Sequence, residues 1–147
     1  MKYLVDSDWI INGLAGAKSA VARLSQLAAN GLAISVVTEG EVLEGAYRSS
    51  DQAAALTRYR QFFAAYDILP VTSSIVNEFA RLRAHLHQIG LPIEDFDLII
   101  AATAIHYDLE LITGNLRHFE RVPGLKLYRP DQSTTPDKDG SSSGASR

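Results

Sequence analysis

Five short apolar runs alternate along this chain with longer segments whose apolar residues recur at helical spacing. The runs are Lys2 to Val5, Leu32 to Val37, Ile68 to Val71, Glu110 to Thr113 and Lys126 to Tyr128. Runs this short read as buried strands, and strands that alternate with helices are the mark of a parallel sheet covered on both faces. The expected fold is therefore α/β, a three-layer sandwich around a five-stranded, mainly parallel sheet.

The helical segments carry their own punctuation. Asp8 is the better candidate, over Ser7, to cap a helix through Trp9, Ile10, Ile11 and Leu14, and Asn30-Gly31 stops the next one, which bears Val21, Leu24, Leu27 and Ala28. Thr38 is read as opening a helix through Val42 and Leu43. Ser49-Ser50-Asp51 caps another carrying Leu56, Tyr59, Phe63 and Tyr66. Thr72-Ser73-Ser74 introduces a helix with Ile75, Val76, Phe79, Leu82 and Leu86 inward, ended by Gly90; an apolar helix from Asp95 to Tyr107 and a short one from Leu116 to Glu120 complete the set.

Of the 147 residues, 46% are hydrophobic, enough for one core, and we assign residues 1–130 to a single domain. From Asp131 onward no large apolar residue offsets the cost of ordering the chain, so 131–147 is expected to be a disordered tail. There is no cysteine, which excludes disulfides and thiolate chemistry and fits a reducing compartment, the cytoplasm. No apolar stretch approaches the roughly 20 residues of a membrane span, and an acid at position 6 interrupts any signal peptide, so no membrane is expected. A net charge of -3 argues against a broad electrostatic grip on nucleic acid but does not exclude a nuclease that works through metal ions and a few rim arginines.

Where a strand gives way to a helix, this chain repeatedly places an acid or an amide. Asp6 ends the first run, Glu41 follows the second, Asp97 heads the apolar helix before the fourth strand, and Asn115 follows that strand. In a parallel sheet all four junctions fall at the carboxyl edge, where such folds bind ligands. Carboxylates gathered there repel one another unless a hard cation lies among them, which points to Mg²⁺ or Mn²⁺. Structural explanations compete: Thr38-Glu39-Gly40-Glu41 has the form of a capping box, and Asp97 suits the positive end of its helix. His85 and His87 are too close in sequence to share a helix face, and with His106 and His118 they are read as surface residues. No phosphate-binding glycine loop or Gly-x-Ser-x-Gly elbow is present.

These residues resemble the PIN domain family, and within it the VapC-type toxins of toxin-antitoxin pairs. The opening block Tyr3-Leu4-Val5-Asp6-Ser7-Asp8-Trp9, the block Thr38-Glu39-Gly40-Glu41-Val42-Leu43-Glu44, the block Pro92 to Ala104 around Asp97, and the closing Thr113-Gly114-Asn115-Leu116-Arg117-His118-Phe119 stand in the family order. The resemblance implies a PIN-like fold and a Mg²⁺- or Mn²⁺-dependent endoribonuclease, neutralised by a cognate antitoxin and assembled as a homodimer. It implies Asp6, Glu41 and Asp97 as metal-binding catalytic acids, with Ser7 a hydroxyl position beside the first. Asn115, where many relatives carry Asp, is a weaker candidate ligand. Arg117, Arg121 and Arg48 are candidate contacts to RNA phosphates, or else a solvated helix face; Tyr59, Phe63 and Tyr66 read as core, with part of the set available to a dimer or antitoxin contact. Two alternatives remain: a PIN-like binding protein without activity, and a haloacid dehalogenase-type phosphatase in which Asp6-Ser7-Asp8 is the Asp-x-Asp element, although Ile10 stands where that family has Thr or Ser.

Overall fold

The computed structural model describes residues 1–129; the expected tail lies outside the described residues. Its central sheet runs β3-β2-β1-β4-β5 with every pairing parallel, where β1 is Tyr3–Val5, β2 Leu32–Ser35, β3 Tyr66–Leu69, β4 Glu110–Ile112 and β5 Lys126–Leu127. The helices are α1 (Ser7–Leu14), α2 (Lys18–Leu27), α3 (Val36–Tyr47), α4 (Gln52–Phe63), α5 (Ser73–Gln88), α6 (Asp95–His106) and α7 (Leu116–Phe119). The chain builds outward from β1 to β3, then crosses back to lay β4 on the other side of β1. The strand order thus reverses between β1 and β4, the position where open parallel sheets form a crevice.

Side-chain alternation divides the core in two, as the pleat demands. Leu4, Ala33 and Leu111 face one layer with Ile75, Leu82 and Leu86 of α5, most of α6, and Phe119 of α7. Tyr3, Val5, Leu32, Ile34 and Ile112 face the other, with Ile10 of α1, Leu24 of α2, Val42 of α3 and Phe63 of α4. The three-layer sandwich is as expected. Helix α6 passes through the interior with Leu98, Ile100, Ala101, Ala102, Thr103 and Ala104 all buried, which follows from its being apolar almost all round.

Three departures from the expected boundaries change what a residue does. Strand β2 stops at Ser35, whose hydroxyl accepts from the Val37 amide at 3.2 Å and caps α3, so Thr38 lies inside the helix and no capping box forms with Glu41. Strand β3 is displaced to Tyr66–Leu69, because Pro70 has no amide to give a ladder and Tyr66 pairs with Leu32 instead of extending α4. Helix α1 begins two residues earlier than expected, and Asp6, not Asp8, is its cap, accepting from the Ser7 amide at 2.8 Å. Among the described residues no helix is long and apolar enough to cross a membrane.

Candidate active site

Asp6 leaves β1 at the crevice between β1 and β4 and is 6% exposed. Its two oxygens are held from different elements: Oδ1 by the Ser7 amide and Oδ2 by the Thr113 hydroxyl, both at 2.8 Å. Burial pushes its pKa up, the Thr113 and Ser7 hydrogen bonds oppose that, and the charge of Asp97 adds to the rise. Capping α1 is therefore part of what Asp6 does, but burial so close to other acids exceeds what a cap requires.

Glu41 stands in the second turn of α3. Its pKa is raised first by burial and then by repulsion from Asp6 and Asp97, with Ser7 working the other way. Among the described residues, one of its oxygens, Oε1, is buried without a hydrogen-bond partner, and so is the hydroxyl of Thr38 three residues before it on the same face of α3. A carboxylate oxygen without a partner is expensive to bury, and a bound cation would relieve it.

Asp97 lies in the first turn of α6, where the helix dipole favours an acid. Burial again raises its pKa first; His118 lowers it, and Glu94 and Asp8 raise it further. His118 Nε2 is 3.1 Å from Asp97 Oδ2, so this histidine belongs to the site and is not the free surface residue expected from sequence. Asp8 is a further acid of the cluster. Its Oδ2 accepts from the Gly114 amide at 2.8 Å, and burial and then the charge of Asp6 raise its pKa. A Cβ at position 114 would meet that oxygen at 2.6 Å, so glycine is what lets the loop approach Asp8.

Asp6, Glu41 and Asp97 thus share one electrostatic neighbourhood. Asn115 stands beside it differently: its amide nitrogen of the main chain donates to Thr113 Oγ1 at 3.1 Å, its residue is exposed, and it makes no side-chain cap to α7. Arg117 is exposed, Arg121 reaches the Pro92 carbonyl at 3.4 Å, and Arg48 pairs with Glu44 on an exposed helix face. Tyr59, Phe63 and Tyr66 pack together with Phe62, with Tyr59 also donating to Glu39. Ile10 is fully buried, which leaves the phosphatase alternative without its hydroxyl.

The donor set suits a hard divalent cation: oxygen ligands, mutual repulsion and one orphaned carboxylate oxygen. In the side-chain positions described, no three acidic or imidazole groups stand in a formed metal site among the described residues.

Residues 3–125 match the PIN domain model, and the chain belongs to the PIN domain family. It is similar to the ribonuclease VapC19 of Mycobacterium tuberculosis, 35% identical over 84% of this chain and 96% of that protein. It is also similar to the tRNA(fMet)-specific endonuclease VapC of Shigella flexneri, 29% identical over 86% of this chain and 96% of the relative. Among solved structures, VapBC2 from Rickettsia felis bound to a DNA fragment from its promoter superposes with a TM-score of 0.82 at 28% identity, covering 87% of this chain and 98% of that one.

Proposed function

We propose that this protein is a Mg²⁺- or Mn²⁺-dependent endoribonuclease and the toxin of a toxin-antitoxin pair. The observation that carries the reading is the meeting of Asp6, Glu41 and Asp97 at the crevice of a parallel sheet, with Glu41 Oε1 buried and, among the described residues, unpartnered. The ribonuclease names of its relatives support the substrate class.

Asp6 and Asp97 would hold the ion, with Glu41 beside them. When bound, Mg²⁺ or Mn²⁺ supplies a lowered water pKa and polarises the phosphate oxygens. Glu41, whose raised pKa makes it a better base than an ordinary carboxylate, orients the attacking water and takes its proton. Thr113 and Ser7 keep the Asp6 carboxylate in one rotamer, so its geometry is set before substrate arrives. Arg117, exposed on α7, is a candidate contact to an RNA phosphate. Asn115 is kept as the weaker ligand candidate, able to offer an amide oxygen but no charge.

The partner we propose is a small antitoxin, in keeping with the VapBC pair of Rickettsia felis. A cavity of about 340 Å³ between α1, α3 and α4, lined by Ile11, Leu14, Val42, Ala46 and Tyr59, has Glu41 in its wall. An apolar segment seated there would cover the approach to the acids. The homodimer would draw on apolar side chains that α5 and α6 leave exposed, Val76 and Phe96 among them, and cytoplasmic residence follows from the same reading.

The test is expression in cells with and without the adjacent small open reading frame, followed by mapping of new RNA ends across total RNA, transfer RNA included. Growth arrest with discrete cleavage sites, relieved by the neighbour, supports the assignment. Metal-dependent cleavage in vitro without growth arrest would remove the toxin role and leave the nuclease.

A further inference from the structure

His118 has no part in the reaction as set out above, yet it is the side chain that touches Asp97. The pair joins the first turn of α6 to α7 across 21 positions, with side chains 21% and 28% exposed. Helix α7 is a single turn, and its place is fixed by Phe119, which is 1% exposed in the core against α5 and α6. The His118 ring stands edge-on to Phe119 at 5.5 Å, so the imidazole is anchored by a buried neighbour. An ionised carboxylate can only accept, so with Asp97 charged the ring Nε2–H is the donor. That bond occupies Oδ2, and among the described residues Oδ1 takes no hydrogen bond.

We infer that His118 is a positioning residue: by donating from Nε2 to Asp97 Oδ2 it fixes the rotamer in which Asp97 offers its other oxygen to the ion shared with Asp6 and Glu41, and so sets the affinity for that ion. This rests on the reading of those acids as the ion's ligands. Hydrogen bonds of this kind to a ligating group alter metal affinity by about 10–100-fold. They also restrict the carboxylate to one orientation, which an exposed aspartate would otherwise lose to rotamer freedom.

Two substitutions separate donor from ring. His118→Phe keeps the edge contact with Phe119 and has no donor; His118→Gln loses the ring and keeps a nitrogen able to donate to Oδ2. MnCl₂ is titrated into the full chain by calorimetry for the parent, both variants and Asp6→Ala, with thermal melts in chelator and the electron-spin-echo spectrum of bound Mn²⁺. The inference expects His118→Phe to bind Mn²⁺ about 10–100-fold more weakly at an unchanged melting temperature, and His118→Gln to recover most of that loss. It also expects no nitrogen coupling that distinguishes parent from His118→Gln. Equal or tighter binding by His118→Phe would overturn it, leaving His118 as a mere offset to the repulsion among acids. A nitrogen coupling lost in His118→Gln would overturn it too, making His118 a ligand. If the parent binds no Mn²⁺, the metal reading and this inference both fall; if Asp6→Ala abolishes binding and His118→Phe does not weaken it, only the inference does.

Discussion

Thr113 Oγ1 donates to Asp6 Oδ2 at 2.8 Å, between the ends of β4 and β1, and both residues are buried. The bond spans the point where the strand order reverses. The two residues after Thr113 do related work, since Gly114 N binds Asp8 and Asn115 N returns to Thr113 Oγ1. The loop leaving β4 is therefore fitted to the acids that leave β1.

Thr113→Val, which keeps the shape and deletes the hydroxyl, should cost about 1–3 kcal/mol, because Asp6 Oδ2 is left buried without its donor. Thr113→Ser should restore most of it. Chemical denaturation of the three proteins checks this, and a Val variant as stable as the parent would mean the hydroxyl is not holding Asp6.

Stability without metal should depend on pH in a definite direction. The Asp6 pKa is raised by burial above its ordinary 3.8, so the folded chain holds that proton more tightly than the unfolded one. The resulting stabilisation is complete below 3.8 and is lost as pH rises through the raised value. Asp6→Asn does not titrate there. In chelator, the parent should lose stability relative to Asp6→Asn as pH climbs through this window, and the gap should level off above it. A parent that gains stability relative to Asp6→Asn as pH rises would contradict the burial argument.

The strand-helix alternation, together with the place of Asp6 at the end of β1, Glu41 early in α3 and Asp97 in the first turn of the helix before β4, was legible because both depend on local pattern. A carboxylate one residue past a buried strand in a parallel sheet has only one edge to occupy. What could not be read depends on long-range contact. Thr113 meets Asp6 across 107 positions, Gly114 meets Asp8 across 106, and His118 meets Asp97 across 21. Their one sequence signal was that Thr113 to His118 follow a strand end at the same edge. The capping box failed for a different reason: Val36 and Val37 are β-branched and read as strand, but Ser35, three residues before Thr38, supplies the cap that turns the chain into α3.

Gly114→Ala should displace Asp8, since the added carbon would come within 2.6 Å of Oδ2. The expected cost is about 1 kcal/mol, the worth of the hydrogen bond between them. A double-mutant cycle with Asp8→Ala should be non-additive by a similar amount. Additive costs would show that the loop and Asp8 are independent.

Asn115→Ala should change stability by no more than about 0.5 kcal/mol, because the side chain makes no cap to α7 and lies exposed. A loss near 1 kcal/mol, the usual worth of an N-cap, would restore the capping role.

Asp97→Asn bears most directly on the central claim, because it keeps the shape of the side chain that joins α6 to the cluster and removes only its charge. RNA cleavage by the parent and this variant should be measured across a Mn²⁺ titration, with a chelator control and thermal melts in parallel. Losing a ligand to an ion that supplies several kcal/mol of transition-state stabilisation should lower the rate by about a thousandfold, at a melting temperature equal to or above the parent's. A folded Asp97→Asn variant that cleaves RNA at the parent's rate, with the parent's Mn²⁺ dependence, would contradict the assignment of these acids to a metal-dependent nuclease.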